Sequence, residues 1–336
     1  MTTPINPRAT RKDVARFAGV SPAVVSYVLN GGPRSVAPAT RQRVLQAIEV
    51  LGYRPNPIAR ALTTQSTGTI GLLIPDIANP LFAELANRIE EAANAQSLGV
   101  LLATSRGSAA VEREQIRSLA DRRVDGLVVL SATSDPDVSG VGNTPVVVLD
   151  RAEPLPGLNT IGVDYEDAAV QAVEHLIGHG HEKIAFIGGS DGSATTRARE
   201  RGWLKTLSAH GLPEGASVRS DYTRRGGYEA AQRLMALEDP PTAVFIASDL
   251  HAVGAMHALN ELGVSVPSQL AVVNFDGSIE SEYTWPALTV MRQPLEEIAD
   301  SALAALSSPD AAGTAGHRVL RARLELRRSC GPHPTR

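Results

Sequence analysis

"GVSPAVVSYVLNGG", residues 19–32, reads as one short helix with glycine at each end. Ser21 caps it, Pro22 suits the first turn, and Gly31-Gly32 stop it. Val25, Val28 and Leu29 recur at helical spacing and predict its buried face. The opposite stripe holds Pro22, Ala23, Ser26, Tyr27 and Asn30, small or polar residues around one aromatic.

Just upstream, Thr10 with Asp13 three residues later is a capping pair that opens a helix through about Ala18. Gly19-Val20 turns the chain between the two. A third helix is predicted from about Pro38 to Leu51, with Val44, Ile48 and Leu51 on one face. Two helices joined by a tight glycine turn form a helix-turn-helix, whose second helix enters the major groove. In "YRPNPIARALTTQST" (residues 53–67), Asn56 caps and Pro57 starts a two-turn helix reaching Leu62. A helix that short is marginal alone and forms against a partner.

Charge follows the same division. Residues 1–67 carry nine basic and two acidic side chains, a net of +7, whereas the remaining residues sum to −11. A basic module on an acidic body predicts that the first part meets a polyanion. The chain has 336 residues and one cysteine, Cys330, which excludes an internal disulfide and a Cys-pair metal site. No apolar run reaches spanning length and the N-terminus lacks a signal-peptide pattern, so a cytoplasmic protein with no membrane partner is expected.

From Thr69 the texture changes. "TIGLLIPD", "GVLLATS", "DGLVVLSA", "TPVVVLD", "EKIAFIGG", "TAVFIASD" and "QLAVVNFDG" are continuous apolar runs ending in small or acidic residues. Amphipathic helices separate them, among them Phe82–Gln96, Ala168–Ile177 and Tyr228–Leu237. The alternation predicts parallel α/β structure, and its length suits two sheets better than one. Ligands in such folds sit at the carboxyl ends of the strands, which here carry Asp76, Asn79, Ser105, Asp150, Ser190, Asp249 and Asp276.

Two enzyme-like or metal-like patterns compete with a binding role. "GGSDG" (188–192) matches the G-x-S-x-G elbow around Ser190, with Asp249 or Asp276 and then His317 in hydrolase order. The elbow requires a helix immediately after the serine, and "DGSATT" intervenes. His175 and His179 stand at i, i+4 spacing with His181 beyond, but no acidic or cysteine ligand follows at convincing spacing. The helix dipole alone suits histidine in a last turn, so no metal is expected. No complete G-x-G-x-x-G or P-loop occurs, and no cofactor is expected.

The whole chain resembles the lactose-repressor (LacI/GalR) family of bacterial transcription regulators. "TRKDVARFAGVSPAVVSYVLNG", "TRQRVLQAIEVLGYRPNPIARAL", "TIGLLIPDIANPLFAEL", "RARERGW" and "SVPSQLAVVNFDG" carry the likeness in the family's order. The resemblance implies a helix-turn-helix domain over 1–55, a hinge helix and linker over 56–67, and a two-subdomain, parallel-sheet effector and dimerisation domain over 68–330. The subdomains would comprise about 68–161 plus 292–330, and 162–291.

The same resemblance implies roles. Pro22, Ala23 and Tyr27 would face base edges, while Thr10, Ser21, Ser26, Asn30 and Tyr53 would hold phosphates. Asn56, Ala59 and Leu62 belong to the hinge helix, with Leu62 as a wedge into the minor groove. Arg199, in "RERGW", and Asp276 match the family's ligand-binding arginine and acid. Asp76, Phe82, Asp150, Tyr222 and Asp249 fall at further pocket positions, although Asp76 and Asp249 read equally well as capping acids. These groups suit a small polyhydroxyl effector, probed by bidentate Arg and Asp and a stacking Tyr222.

Some residues depart from the pattern. Tyr27 stands where arginine is common, Ala37 replaces a capping serine or threonine, and Asn274 replaces a frequent glycine. The expected protein is a homodimeric, sugar-responsive repressor of carbohydrate genes, bound to a near-palindromic double-stranded DNA operator. No leucine-heptad tail follows the last strand, so no tail-held tetramer is expected. The alternative is a hydrolase using Ser190.

Overall fold

The computed structural model describes residues 9–30, 35–54, 66–131, 133–189, 193–307 and 316–331. The chain divides into two compact units, Met1–Thr67 and Gly68–Arg336. The predicted hinge residues Asn56, Ala59 and Leu62, the proposed nucleophile Ser190, and the side chain of Asn30 lie outside what is described.

The first unit holds α1 (Arg11–Ala18), α2 (Pro22–Asn30) and α3 (Pro38–Leu51). Thr10 and Asp13 form the complete capping box: the Thr10 amide donates to Asp13 Oδ2 at 2.9 Å and its hydroxyl does so at 2.6 Å. Gly19 ends α1 in the left-handed region at φ 64°, where a side chain would be strained. Ser21 Oγ accepts the Val24 amide at 3.4 Å and opens α2. Ala37 gives α3 no side-chain cap, as its methyl dictates. The core is small: Val14, Ala15, Ala18, Val25, Val28, Val44 and Ala47 are buried, with Leu29, Ile48, Leu51 and Tyr53 against them. Burying a valine there contributes roughly 1.5–3 kcal/mol.

The second unit contains two six-stranded sheets. In the first, β1 (Thr69–Ile74), β2 (Gly99–Thr104), β3 (Leu127–Leu130), β4 (Val146–Leu149), β5 (Asn159–Val163) and β11 (His317–Leu320) run parallel in the order β2-β1-β3-β4-β5-β11. Its helices are α4 (Pro80–Ala95), α5 (Ala109–Asp121) and α10 (Leu295–Ser307), with α10 against α4.

In the second sheet, β6 (Ile184–Gly188), β7 (Ser217–Arg219), β8 (Ala243–Ile246), β9 (Ala271–Asp276) and β10 (Thr289–Arg292) run parallel in the order β7-β6-β8-β9-β10. The strand β12 (Arg323–Glu325) closes that edge antiparallel to β10. Its helices are α6 (Tyr165–Gly178), α7 (Ala194–Ala209), α8 (Arg224–Met235) and α9 (Asp249–Glu261).

The chain passes between the sheets three times: from β5 to α6, from β10 to α10, and from β11 to β12. The segment 292–330, assigned by sequence to the first subdomain, is therefore shared, because β11 extends the first sheet while β12 pairs with β10 in the second. One apolar cluster runs from Ile70, Leu72 and Val147 of the first sheet to Phe186, Phe245 and Phe275 of the second. Among the described residues no helix is long and apolar enough to cross a membrane.

Candidate DNA interface and effector site

On α2 the burial follows the predicted face. Val25 and Val28 are buried, Pro22 and Ala23 are exposed, and Ser26 and Tyr27 are half-buried outside the core cluster. The stripe opposite the core thus offers small groups and one phenol. Tyr53 differs from the expectation of a phosphate contact in one respect: its ring packs on the module core. Thr10 differs too, since its hydroxyl donates to Asp13, whose carboxyl that bond holds below the usual range.

In the α/β unit the strand ends converge on Arg199. Its guanidinium is buried, with Cζ 4.7 Å from the Phe275 ring centre and 5.3 Å from that of Tyr165. Such desolvated cation–π contacts contribute about 2 kcal/mol each. Nη2 donates to Tyr222 Oη at 2.9 Å and to Thr195 Oγ1 at 3.3 Å, while Nε meets no acceptor among the described residues. Burial opposes this charge, and Tyr222, Asp276, Asp150 and Tyr165 outweigh it, so the pKa rises.

Two acids stand beside it with left-handed backbones, Asp276 at φ 109° and Asp150 at φ 59°. Non-glycine residues held there are strained, a cost sites retain for function. Asp150 Oδ1 accepts the Tyr165 hydroxyl at 2.6 Å, joining the end of β4 to the first turn of α6. Asp276 accepts from Gln293 Nε2 at 2.9 Å and from the Asp249 amide at 3.2 Å.

Asp249 in turn accepts from the Asn274 amide group and from the Ser278 amide at 2.5 Å. Burial pushes the Asp249 carboxyl up to about 6, against the pull of those bonds. Burial and then the Asp249 charge raise Asp276 well above the carboxylate range. The pair therefore resists carrying two charges at neutral pH.

Tyr222 is set by its neighbours. Its ring stacks on His251 at 4.9 Å, and a Cβ on Gly189 would lie 2.1 Å from that ring, so only glycine fits at 189. His251 donates from Nε2 to the Asp221 carbonyl at 2.7 Å, and burial lowers its pKa to about 4. It stays neutral and holds the loop bearing Tyr222.

Of the seven predicted effector residues, Asp150, Arg199, Tyr222, Asp249 and Asp276 come together. Asp76 is exposed and accepts the Ala78 amide at 2.9 Å, a turn-closing role. Phe82 is half-buried against the apolar cluster that also supports Tyr222. Tyr165, Phe275, Gln293 and His251 carry no local motif, because each acts by packing or hydrogen bonding to a residue distant in sequence, whereas Thr195 meets Arg199 one helical turn away on α7. At the cleft mouth Glu84 of α4 accepts the Ile279 amide at 2.6 Å, linking the two lobes.

The described members of the hydrolase constellation belong to different sheets. His317 lies on β11 of the first sheet, where Nδ1 is 2.8 Å from Thr160 Oγ1, and Asp249 belongs to the second sheet with the partners above. The helix after β6 starts only at Ala194, six residues beyond Gly188.

A basic helix-turn-helix module carried on a two-lobed α/β body with a charged cleft defines a ligand-responsive DNA-binding regulator. The model of the bacterial regulatory proteins, lacI family, matches residues 10–56, and that of the periplasmic binding protein-like domain matches 173–330. Catabolite control protein A of Priestia megaterium is 37% identical over 301 residues, covering 88% of this chain and 90% of that protein. The lac repressor dimer solved with operator and the anti-inducer ONPF superposes with a TM-score of 0.87 at 27% identity, over 96% of this chain and 99% of that one. The regulator CelR, solved as its cellobiose complex, has a TM-score of 0.71 at 30% identity, over 96% of this chain and 100% of that one. The chain belongs to the lacI family of bacterial regulatory proteins. It is a ligand-responsive DNA-binding repressor and not an enzyme.

Proposed function

We propose that this repressor works in the cytoplasm as a homodimer on a near-palindromic operator, released or tightened by a sugar-like effector, and controls carbohydrate-use genes. The observation that carries the effector reading is the Arg199 cluster. A buried guanidinium over the adjoining Phe275 and Tyr165 rings, with Asp150 after β4 of one sheet and Asp276 at the end of β9 of the other, presents planar donors and acceptors suited to vicinal hydroxyls. The cellobiose complex of a similar regulator supports the same ligand class.

On the DNA side, Pro22, Ala23 and Tyr27 read base edges, and Ser21, Ser26, Asn30 and Tyr53 contact phosphates. Thr10 contributes by fixing α1 and through that helix end. Asn56, Ala59 and Leu62 serve the minor groove, where an apolar wedge kinks the duplex. Dimerisation is supported by unpartnered apolar groups on both lobes. Leu101 and Leu102 are exposed on the edge strand β2, and Tyr283 and Trp285 are 82% and 86% exposed in the second lobe.

The effector acts by differential affinity for two arrangements of the lobes, which the three crossing segments hinge. The test is to select genomic fragments with the purified chain and repeat the binding with a panel of sugars. A two-fold symmetric site whose affinity one sugar changes is expected; an asymmetric site, or no response across the panel, contradicts the proposal.

A further inference from the structure

The end of α6 and the segment after β12 meet at a cluster that the effector site does not use. His175 in the last turn of α6 and His179 at its C-cap face each other edge to face, ring centres 4.7 Å apart. Cys330, 155 residues away in sequence and fully buried, places Sγ 3.2 Å from Nε2 of His175. One ligand atom from each of the three lies within 4.8 Å of the other two.

The surroundings suit a bound cation. Thr289 Oγ1 accepts the Arg327 amide at 2.9 Å and stands 2.9 Å from the cysteine sulfur, where its own proton is available to a thiolate. Outer contacts of this kind orient and tune a metal ligand. Residue 331 is glycine, and a Cβ there would lie 3.2 Å from Nδ1 of His179, crowding the imidazole. His181, by contrast, turns away to Thr242, with Nδ1 3.1 Å from Oγ1. The helix dipole accounts for a histidine in a last turn, but not for a second one facing it with the chain's sole thiol alongside.

We propose that His175, His179 and Cys330 form a binding site for one Zn2+ ion. Two imidazoles and a thiolate are the borderline-soft ligands that zinc prefers, and magnesium or calcium would require oxygen donors. Bonds of about 2.3 Å to sulfur and about 2.0 Å to nitrogen at a tetrahedral angle separate S and N by about 3.5 Å. The observed 3.2 Å needs little adjustment. Water takes the fourth position, and the thiol proton leaves to solvent as the Zn–S bond forms. The site lies by Thr289 at the amino end of β10, opposite Gln293, which holds Asp276. The ion is thus a staple between α6 and the terminal segment, separate from the effector.

The test uses the full metal-free chain titrated with Co2+ and then Zn2+ against a chromophoric chelator. One ion per chain is expected, with a near-ultraviolet thiolate-to-cobalt band and strong visible bands of a tetrahedral site, all displaced by Zn2+. Cys330→Ser should lose the thiolate band, and both it and His179→Ala should bind roughly tenfold or more weakly. His181→Ala should match the parent, and an unchanged near- and far-ultraviolet circular dichroism spectrum of the metal-free chain certifies each fold. Absence of one-to-one binding, or a thiolate band that survives Cys330→Ser, overturns the site. Should Cys330→Ser fail to fold, the half-buried His179→Ala decides: unchanged affinity overturns the proposal.

Discussion

The DNA-binding module and the effector cleft spend their residues in opposite ways. The module has a thin core of valines and alanines and places small or polar groups outside it. The cleft buries Arg199 over the Phe275 ring, with the buried acids Asp249 and Asp276 beside it. A surface that reads DNA gains its energy from an external polyanion and needs only a correctly aimed helix. A pocket built for a small ligand must hold its charges ready in a dry site, so strain and shifted pKa values accumulate there.

The sharpest way to break this contrast is to collapse one side. Val25→Asp places an unpaired charge in the small module core, a cost of about 3 kcal/mol or more against few compensating contacts. Operator affinity should fall at least about a hundredfold, while the affinity for the responding sugar, read by calorimetry, stays within about twofold. Parallel losses would mean that the two units do not fold independently.

Tyr27→Arg sharpens the reading of the exposed stripe. An arginine there should favour guanine at one base pair of each half-site by about 1–3 kcal/mol in a selection experiment. An unchanged site would place Tyr27 against the backbone.

The smallest effect concerns His251 and pH. Its folded pKa, about 4, lies below the unfolded value, so its neutral form contributes stability at pH 7. That contribution is lost as pH falls from about 6.5 towards about 4. His251→Gln keeps a donor for the Asp221 carbonyl and removes the titration. Relative to the variant, the parent should lose about 1 kcal/mol between pH 7 and 5.5 in denaturant unfolding. Asp249 works in the opposite sense: its raised pKa favours the folded state below about 4 and weakens it up to about 6. Because Asp249 is common to both proteins, it cancels in the comparison.

The two regions also differed in legibility. Helix signals are local, so Thr10–Asp13, Gly19 and the Val25/Val28 spacing marked the module's helices closely. In the α/β body, strands with long apolar runs were visible, whereas β7, "SVR", and β12, "RLE", carry one apolar residue each. The run in β2 looked like a buried strand, but Leu101 and Leu102 are exposed at a sheet edge, a distinction hydrophobicity alone does not make.

Arg199 and Asp276 were found through short motifs. Tyr165, Phe275 and His251 were not, because their roles arise from contacts across more than 20 residues of chain. Cys330 shows the same limit, since spacing in sequence gave no hint that it meets His175.

The central claim is that the Arg199 cluster receives the effector and that its state is transmitted to the operator. It is tested most directly by titrating the selected operator with the parent and Arg199→Ala, with and without the responding sugar. The account predicts equal operator affinity without sugar, a shift of roughly tenfold or more in the parent, and none in the variant. A variant that still responds to the sugar would contradict it.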